Sequence, residues 1–192
     1  VVKITDKDVS IEQILSDVQA DKTDEYAEPN FVYRTKVIES KLADGVTPND
    51  PTFNLDWGLL NLGQKDSKGQ EGKVGSDIGA TKAWVQGTGS KDILVAVIDT
   101  GVDYTHEDLK ENIYTNTAEI PDNGIDDDHN GFVDDVHGWN FEGKNKQAMD
   151  DNRHGTHCSG TIGAMGNNSL GTAGVNWNAS ILPIKFLSAT GS

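Results

Sequence analysis

Two short segments of the chain are mostly apolar. Residues Ile93 to Ile98 read Ile-Leu-Val-Ala-Val-Ile, and Ser180 to Phe186 form a second run of the same kind. Aliphatic runs of this length predict parallel strands covered on both faces. Between them, about Gly155 to Met165 has the spacing of a helix, so strand and helix alternate as in an open α/β sheet. Toward the N-terminus the pattern is amphipathic instead. Ile11, Ile14, Leu15 and Val18 fall on one helical face behind Ser10, a good N-cap. Gln13 completes a capping box there, and Val9 is placed to staple onto Ile14. That helix, ending near Gln19, is flanked by predicted strands at Val1 to Ile4 and Tyr26 to Tyr33. Pro29 puts the second strand at an edge or a bend.

A polar stretch from Ser40 to Asp50 and a Gly-rich segment from Gly58 to Gly79 break the periodicity between these regions. They place a boundary near residues 36 to 46, and hence a small unit over 1–40 and a larger one over 41–192. No internal repeat is visible.

Composition narrows the function classes. With 31 acidic against 16 basic residues the formal charge is -15, which repels nucleic acid and anionic lipid surfaces and makes cations the natural partners. No apolar run approaches the roughly 20 residues that cross a bilayer. The single cysteine, Cys158, has no intramolecular disulfide partner, and composition leaves the compartment open.

Candidate chemistry begins where the first apolar run stops. Asp99 stands at the carboxyl end of a predicted strand, the edge at which open α/β sheets collect ligands and catalytic groups. Alone it reads equally well as a loop or helix cap. Two segments change that balance: Asp99-Thr100-Gly101-Val102-Asp103, with His106 and Asp108-Leu109 behind it, and His154-Gly155-Thr156-His157-Cys158-Ser159-Gly160. Together they resemble the first two catalytic motifs of the subtilisin family of serine proteases, and the likeness extends from about Thr47 to Ser192. It implies an α/β fold: an incomplete three-layer, parallel-sheet subtilisin-like domain. It also implies a serine endopeptidase in which Asp99 orients His154, the general base and then general acid, because a serine hydroxyl is a poor nucleophile until an imidazole takes its proton. The small residues after His154 are expected to let a substrate backbone approach.

Only the first histidine of the motif is catalytic in the family, which leaves His157 a structural role. Cys158 reads as a small buried residue, or as a thiol that makes the site sensitive to mercurials. A zinc reading of His154, His157 and Cys158 is disfavoured, because adjacent helical positions diverge by about 100°. Neither His-Glu-x-x-His nor paired Cys-x-x-Cys is present.

Calcium is the expected cofactor, at two places. Asp126-Asp127-Asp128-His129-Asn130-Gly131-Phe132-Val133 matches the first half of an EF-hand loop, with candidate ligands Asp126, Asp128 and Asn130. The twelfth position is His137 rather than glutamate, so Asp134 or Asp135 has to substitute. The bland alternative is a solvated acidic loop. The second place rests on family resemblance alone: Asn167-Asn168-Ser169-Leu170-Gly171 resembles the calcium loop that follows the catalytic histidine. The resemblance implies the Asn168 side chain and the carbonyls of Gly166, Leu170 and Thr172 as ligands. Asp108 and Asp50 would complete the set, since Thr47-Pro48-Asn49-Asp50-Pro51 resembles a mature N-terminus in the thermitase branch.

Tyr26-Ala27-Glu28-Pro29-Asn30-Phe31-Val32-Tyr33 resembles the closing strand of the inhibitory propeptide. Residues 1–40 are then the C-terminal part of a small α+β chaperone and inhibitor domain, with processing between Lys36 and Thr47. Phe186 to Ser192 resembles the start of the strand that pairs with extended substrate, which makes Leu187 and Gly191 candidate substrate-binding residues. No Gly-Thr-Ser-Met-Ala nucleophile motif occurs in the 192 residues. The expectations are therefore a piece of a protease, inactive by itself, and a remainder of the catalytic domain that carries the serine. Polypeptide substrates and the chain's own propeptide are the other partners, in a secreted or extracellular location, the periplasm included. The alternative from another class is a catalytically inactive, subtilase-like binding or inhibitory module.

Overall fold

A computed structural model describes residues 45–192. The strands and helix expected before Ser40 lie outside the described residues. The regular elements are α1 (Ala80–Ala83), β1 (Gly89–Asp99), β2 (Trp139–Asn140), α2 (His154–Gly163) and β3 (Asn178–Lys185), with single 3-10 turns at Phe53–Leu55 and Lys110–Asn112. Both apolar runs are strands, each starting a few residues earlier than its pattern suggested. The helix begins at His154 and ends at Gly163, two residues short of Met165.

The three strands form a parallel sheet in the order β1-β3-β2. Leu94 lies opposite Ser180, and the register continues without a shift to Asp99 opposite Lys185. Both long strands therefore deliver their carboxyl ends at one level. The two-residue strand β2, which the polar sequence around it concealed, pairs Trp139 and Asn140 with Ile184 and Lys185.

The sheet is covered on one face. Val97 and Ile181 pack with Val102, Leu109 and Ile113, and Ile162 of α2 and Tyr104 close over them. The opposite face of β1 is open: Leu94 is 50% and Ile98 66% exposed. The run from Ile93 to Ile98 was expected to be covered on both faces, and among the described residues no element lies over its second one. A continuous apolar run marks a strand suited to burial on both sides, but it does not supply the covering layer. The architecture is an incomplete α/β layer structure.

The sequence of α2 is a poor helix former, with glycine at Gly155, Gly160 and Gly163 each costing up to about 1 kcal/mol relative to alanine. Tertiary packing explains why it forms. Gly155, Ser159 and Gly163 are the buried residues, spaced four apart as one stripe, and this small stripe lets the helix axis approach β1 and β3 closely. A Cβ on Gly163 would stand 3.1 Å from Ile181 Cδ1.

A second cluster supports the N-terminal segment. Phe53, Ala80, Trp84 and Ala173 are buried together, with Trp84 tilted against Phe53 at 5.8 Å and Trp177 at 4.8 Å between ring centroids. The Trp84 indole N–H donates to the Val175 carbonyl at 2.9 Å. This anchors residues 50–60 beside the segment that follows α2.

Candidate active site and cation loops

Asp99 closes β1 and His154 opens α2, so the carboxylate and the imidazole meet where strand end and helix start face each other. His154 Nδ1 lies 2.8 Å from each carboxylate oxygen of Asp99. The Asp99 side chain is 13% exposed and that of His154 64%. Burial pushes the Asp99 carboxyl up, but the Thr100 amide, donating at 2.7 Å, and the contacts with His154 outweigh it and hold the group below the ordinary carboxylate range. An ionised carboxylate only accepts hydrogen bonds, so Nδ1 is the donor in this contact, and in a neutral imidazole the lone pair is then on Nε2.

Cys158, one helical turn after His154, places Sγ 3.8 Å from Nδ1. Burial, with the negative charges of Asp99 and Asp150, raises its thiol pKa, which favours the thiol over the nucleophilic thiolate. Ligand atoms of Asp99, His154 and Cys158 lie within 4.8 Å of one another; His157 is not in that group.

Asp150 is a site residue that sequence reasoning missed. Its Oδ1 accepts from the Thr100 hydroxyl at 2.8 Å and from the amides of Asn152 and Arg153 at 2.9 and 3.0 Å. Its Oδ2 accepts from the Thr156 amide at 2.9 Å and the Thr156 hydroxyl at 2.6 Å. Burial opposes ionisation here too, yet the donors from Thr156, Asn152 and Thr100 depress the pKa from 3.8 to about 2. Lys185 adds a further tie: its buried ammonium donates to the Thr100 carbonyl and to Asp151, both at 2.6 Å. No local motif marks either residue; only its neighbours in space do.

Gly155 has a role different from the one expected. It is buried, and a Cβ there would stand 2.0 Å from the Gly101 carbonyl and 3.1 Å from Asp99 Cβ. Its missing side chain admits the strand-end loop of the chain itself, not a substrate backbone.

The segment carrying Leu187 and Gly191 is held by the end of β1 and then turns. The Leu187 amide donates to the Asp99 carbonyl at 3.2 Å, and the Gly191 amide donates to Ser188 at 2.9 Å, with Gly191 at φ +79. Residues 188–191 are thus a closed turn whose Gly191 donor is already used.

The acidic loop is organised around Glu119, which no local motif marks. This buried carboxylate accepts from the amides of Asp127, Asp128 and Asp134. Asn116 donates from Nδ2 to both Asp128 and Asp135 at 2.9 Å. Oxygens of Glu119, Asp128 and Asp135 lie within 4.8 Å of one another. Two oxygens on opposite sides of a calcium ion stand about 4.6–5.2 Å apart, so the cluster fits that hard cation. Asn130 lies beside it, donating to Asp128 and Asp135 at 3.0 and 3.2 Å. Asp126 instead takes the amides of Asn130 and Gly131. Of the two stand-ins for the twelfth ligand, Asp135 faces the cluster, whereas Asp134 pairs with Lys146 at 3.0 Å. His137 stacks on Tyr104 at 5.0 Å.

The second loop also gathers. Asp50 accepts from the amides of Asn167 and Asn168 at 2.6 and 3.0 Å, and Asp108 from the Asn168 side chain at 2.7 Å and the Thr172 amide at 3.0 Å. Both carboxylates are buried, and among the described residues neither has a lysine, arginine or histidine at ion-pair distance. The carbonyls of Gly166, Leu170 and Thr172 receive no hydrogen bond from other described residues. Two buried charges without a counter-charge beside free carbonyl oxygens form a donor set that a calcium ion fits.

The described site is thus a strand-end carboxylate in contact with a helix-start imidazole at the edge of a parallel sheet. Comparison with known proteins gives the family. The Subtilase family model matches residues 90–192, and the chain belongs to this family. It is similar to Subtilisin-like protease 1 of Plasmodium berghei (strain Anka), 41% identical over 140 residues, covering 72% of this chain and 21% of that protein. With PC3-like endoprotease variant B of Hydra vulgaris it shares 34% identity over 160 residues, covering 83% of this chain and 20% of the relative. The chain thus spans about a fifth of the length of these relatives. Among solved structures, the serine protease of Aeromonas sobria in complex with its chaperone superposes with a TM-score of 0.61 at 24% identity, over 81% of this chain and 24% of that one. That likeness shows the fold. Among the described residues no helix is long and apolar enough to cross a membrane.

Proposed function

We propose that this chain is part of a subtilisin-like serine endopeptidase in which Asp99 and His154 are two members of an Asp-His-Ser triad. The observation that carries the reading is the contact of His154 Nδ1 with both oxygens of Asp99. With the Nδ1 proton held by Asp99, the exposed Nε2 takes a proton from a serine hydroxyl as that oxygen attacks a peptide carbonyl. His154 then returns the proton to the leaving amine, while the Asp99 charge stabilises the imidazolium formed in between. The serine and the oxyanion donors belong to a part of the parent protein outside these 192 residues, so the chain by itself does not hydrolyse peptides.

Calcium binds at Glu119, Asp128 and Asp135, and again between Asp50, Asp108 and the 166–172 loop, where it supplies positive charge to clustered carboxylates. Residues 1–40 are the end of an inhibitory propeptide, polypeptides are the substrates, and the protein acts outside the cytoplasm, where calcium is abundant. Names of the relatives as proteases, and the chaperone bound to the Aeromonas sobria enzyme, support this reading.

The test is labelling of the full-length parent protein with a fluorophosphonate. Labelling that disappears in His154→Ala is expected; an unlabelled wild-type protein overturns the reading in favour of a non-catalytic binding module.

A further inference from the structure

Arg153, the residue before α2, sits at φ 85 and offers no side-chain cap to the helix. An α-helix begins with amides that lack intrahelical partners, and a non-glycine residue at positive φ carries strain that its surroundings must hold. Here the capping groups come from elsewhere in the chain. The Gly155 amide donates to the Thr100 hydroxyl at 3.1 Å, and the Thr156 and Arg153 amides donate to Asp150. The Thr100 hydroxyl, almost fully buried, donates its own proton to Asp150. Thr156 Oγ1 in turn accepts from the Asp103 amide at 2.9 Å.

A single hydroxyl thus joins three things: the residue after Asp99, the residue after His154, and the carboxylate between them in sequence. We propose that Asp150, acting through Thr100, is a positioning residue for the Asp99–His154 pair. It locks the end of β1 to the first turn of α2 and so fixes the imidazole against its carboxylate. The inference rests on the triad reading above. Neither side chain needs to touch substrate or reacting atoms, and the effect is on alignment, to which reaction rates are steeply sensitive.

Threonine and valine have nearly the same shape, so Thr100→Val removes the hydroxyl while keeping the packing, and Thr100→Ser restores it. In full-length protein, Thr100→Val should lower kcat about 10- to 100-fold with KM within about twofold of wild type. Thr100→Ser should stay within about threefold of wild type. Asp150→Asn, which keeps one acceptor oxygen, should fall between them. A second readout does not depend on turnover: the low-field proton NMR signal of the His154 Nδ1 proton, present in wild type and Thr100→Ser, should broaden or shift upfield in Thr100→Val. A folded Thr100→Val protein with unchanged kcat and an unchanged imidazole signal overturns the proposal. If the wild type shows the signal but hydrolyses nothing, the triad reading fails and the NMR comparison still decides the positioning role. If Thr100→Val does not fold, Asp150→Asn decides by the same two measurements.

Discussion

The Nδ1 atom of His154 lies 2.8 Å from each carboxylate oxygen of Asp99, across a sequence separation of 55 residues. Asp99→Asn keeps the shape but allows the amide nitrogen to face Nδ1, which favours the tautomer with its proton on Nε2. In the parent enzyme kcat should fall roughly ten-thousandfold, the size of effect that follows when a triad carboxylate becomes an amide. Steady-state kinetics on a peptide substrate check this, and a loss confined to KM would falsify the orienting role.

Gly155 and Gly160 lie on the same helix and should respond oppositely to alanine. At Gly160 nothing stands within 4 Å of a new Cβ, so the gain in helix propensity should stabilise the protein by up to about 1 kcal/mol. At Gly155 the Cβ meets the Gly101 carbonyl at 2.0 Å, and overpacking should destabilise by about 1–3 kcal/mol. Urea unfolding of both variants is the comparison, and equal midpoints would show that the close approach of strand end and helix is not tight.

Asp150 ties stability to acid. Its folded pKa is depressed from 3.8 to about 2, so in the unfolded chain the group takes up its proton at a higher pH. The stability it contributes is complete above pH 3.8 and drains away as the pH falls toward about 2. Asp99, shifted in the same direction, adds to the same window. Asp150→Asn should be less stable at neutral pH and lose less on acidification. Near-UV circular dichroism of the tryptophans against pH measures both slopes; parallel curves would remove Asp150 from the account.

The acidic loop should respond to calcium through Glu119. Calcium at about a hundred times its dissociation constant should add roughly 2.7 kcal/mol of stability, and chelation should remove it. Glu119→Gln keeps one acceptor oxygen for the loop amides but lowers the charge of the cluster, so it should weaken the calcium-dependent rise in Tm. Asp134→Asn should leave it nearly intact, because Asp134 faces Lys146. The check is differential scanning calorimetry with calcium and with chelator, and a larger effect at Asp134 than at Glu119 would reverse the assignment of ligands.

Local sequence located the residues at the ends of the elements. Two short motifs placed Asp99 at the end of an apolar strand and His154 at the start of a helix, because each motif is local and its neighbours are the residues beside it in the chain. It also placed Asp128 and Asp135 in one acidic loop, and it marked both long strands. Which groups converge depends on the packing of segments far apart in the chain. Glu119 and Asn116 precede the acidic loop by several residues, and nothing around them signals that they turn back to organise it. Asp134 and Asp135 are adjacent, and only the fold sends one to Lys146 and the other to the cluster. Asp150 and Lys185 look like ordinary charged residues until the strand ends bring Thr100 to both. The poor helix former from His154 to Gly163 is helical because its glycine and serine stripe fits the sheet. Chain-local physics fixes what a residue can do; the positions of groups distant in sequence are set by the packing of strands and helix, whose register no local pattern contains.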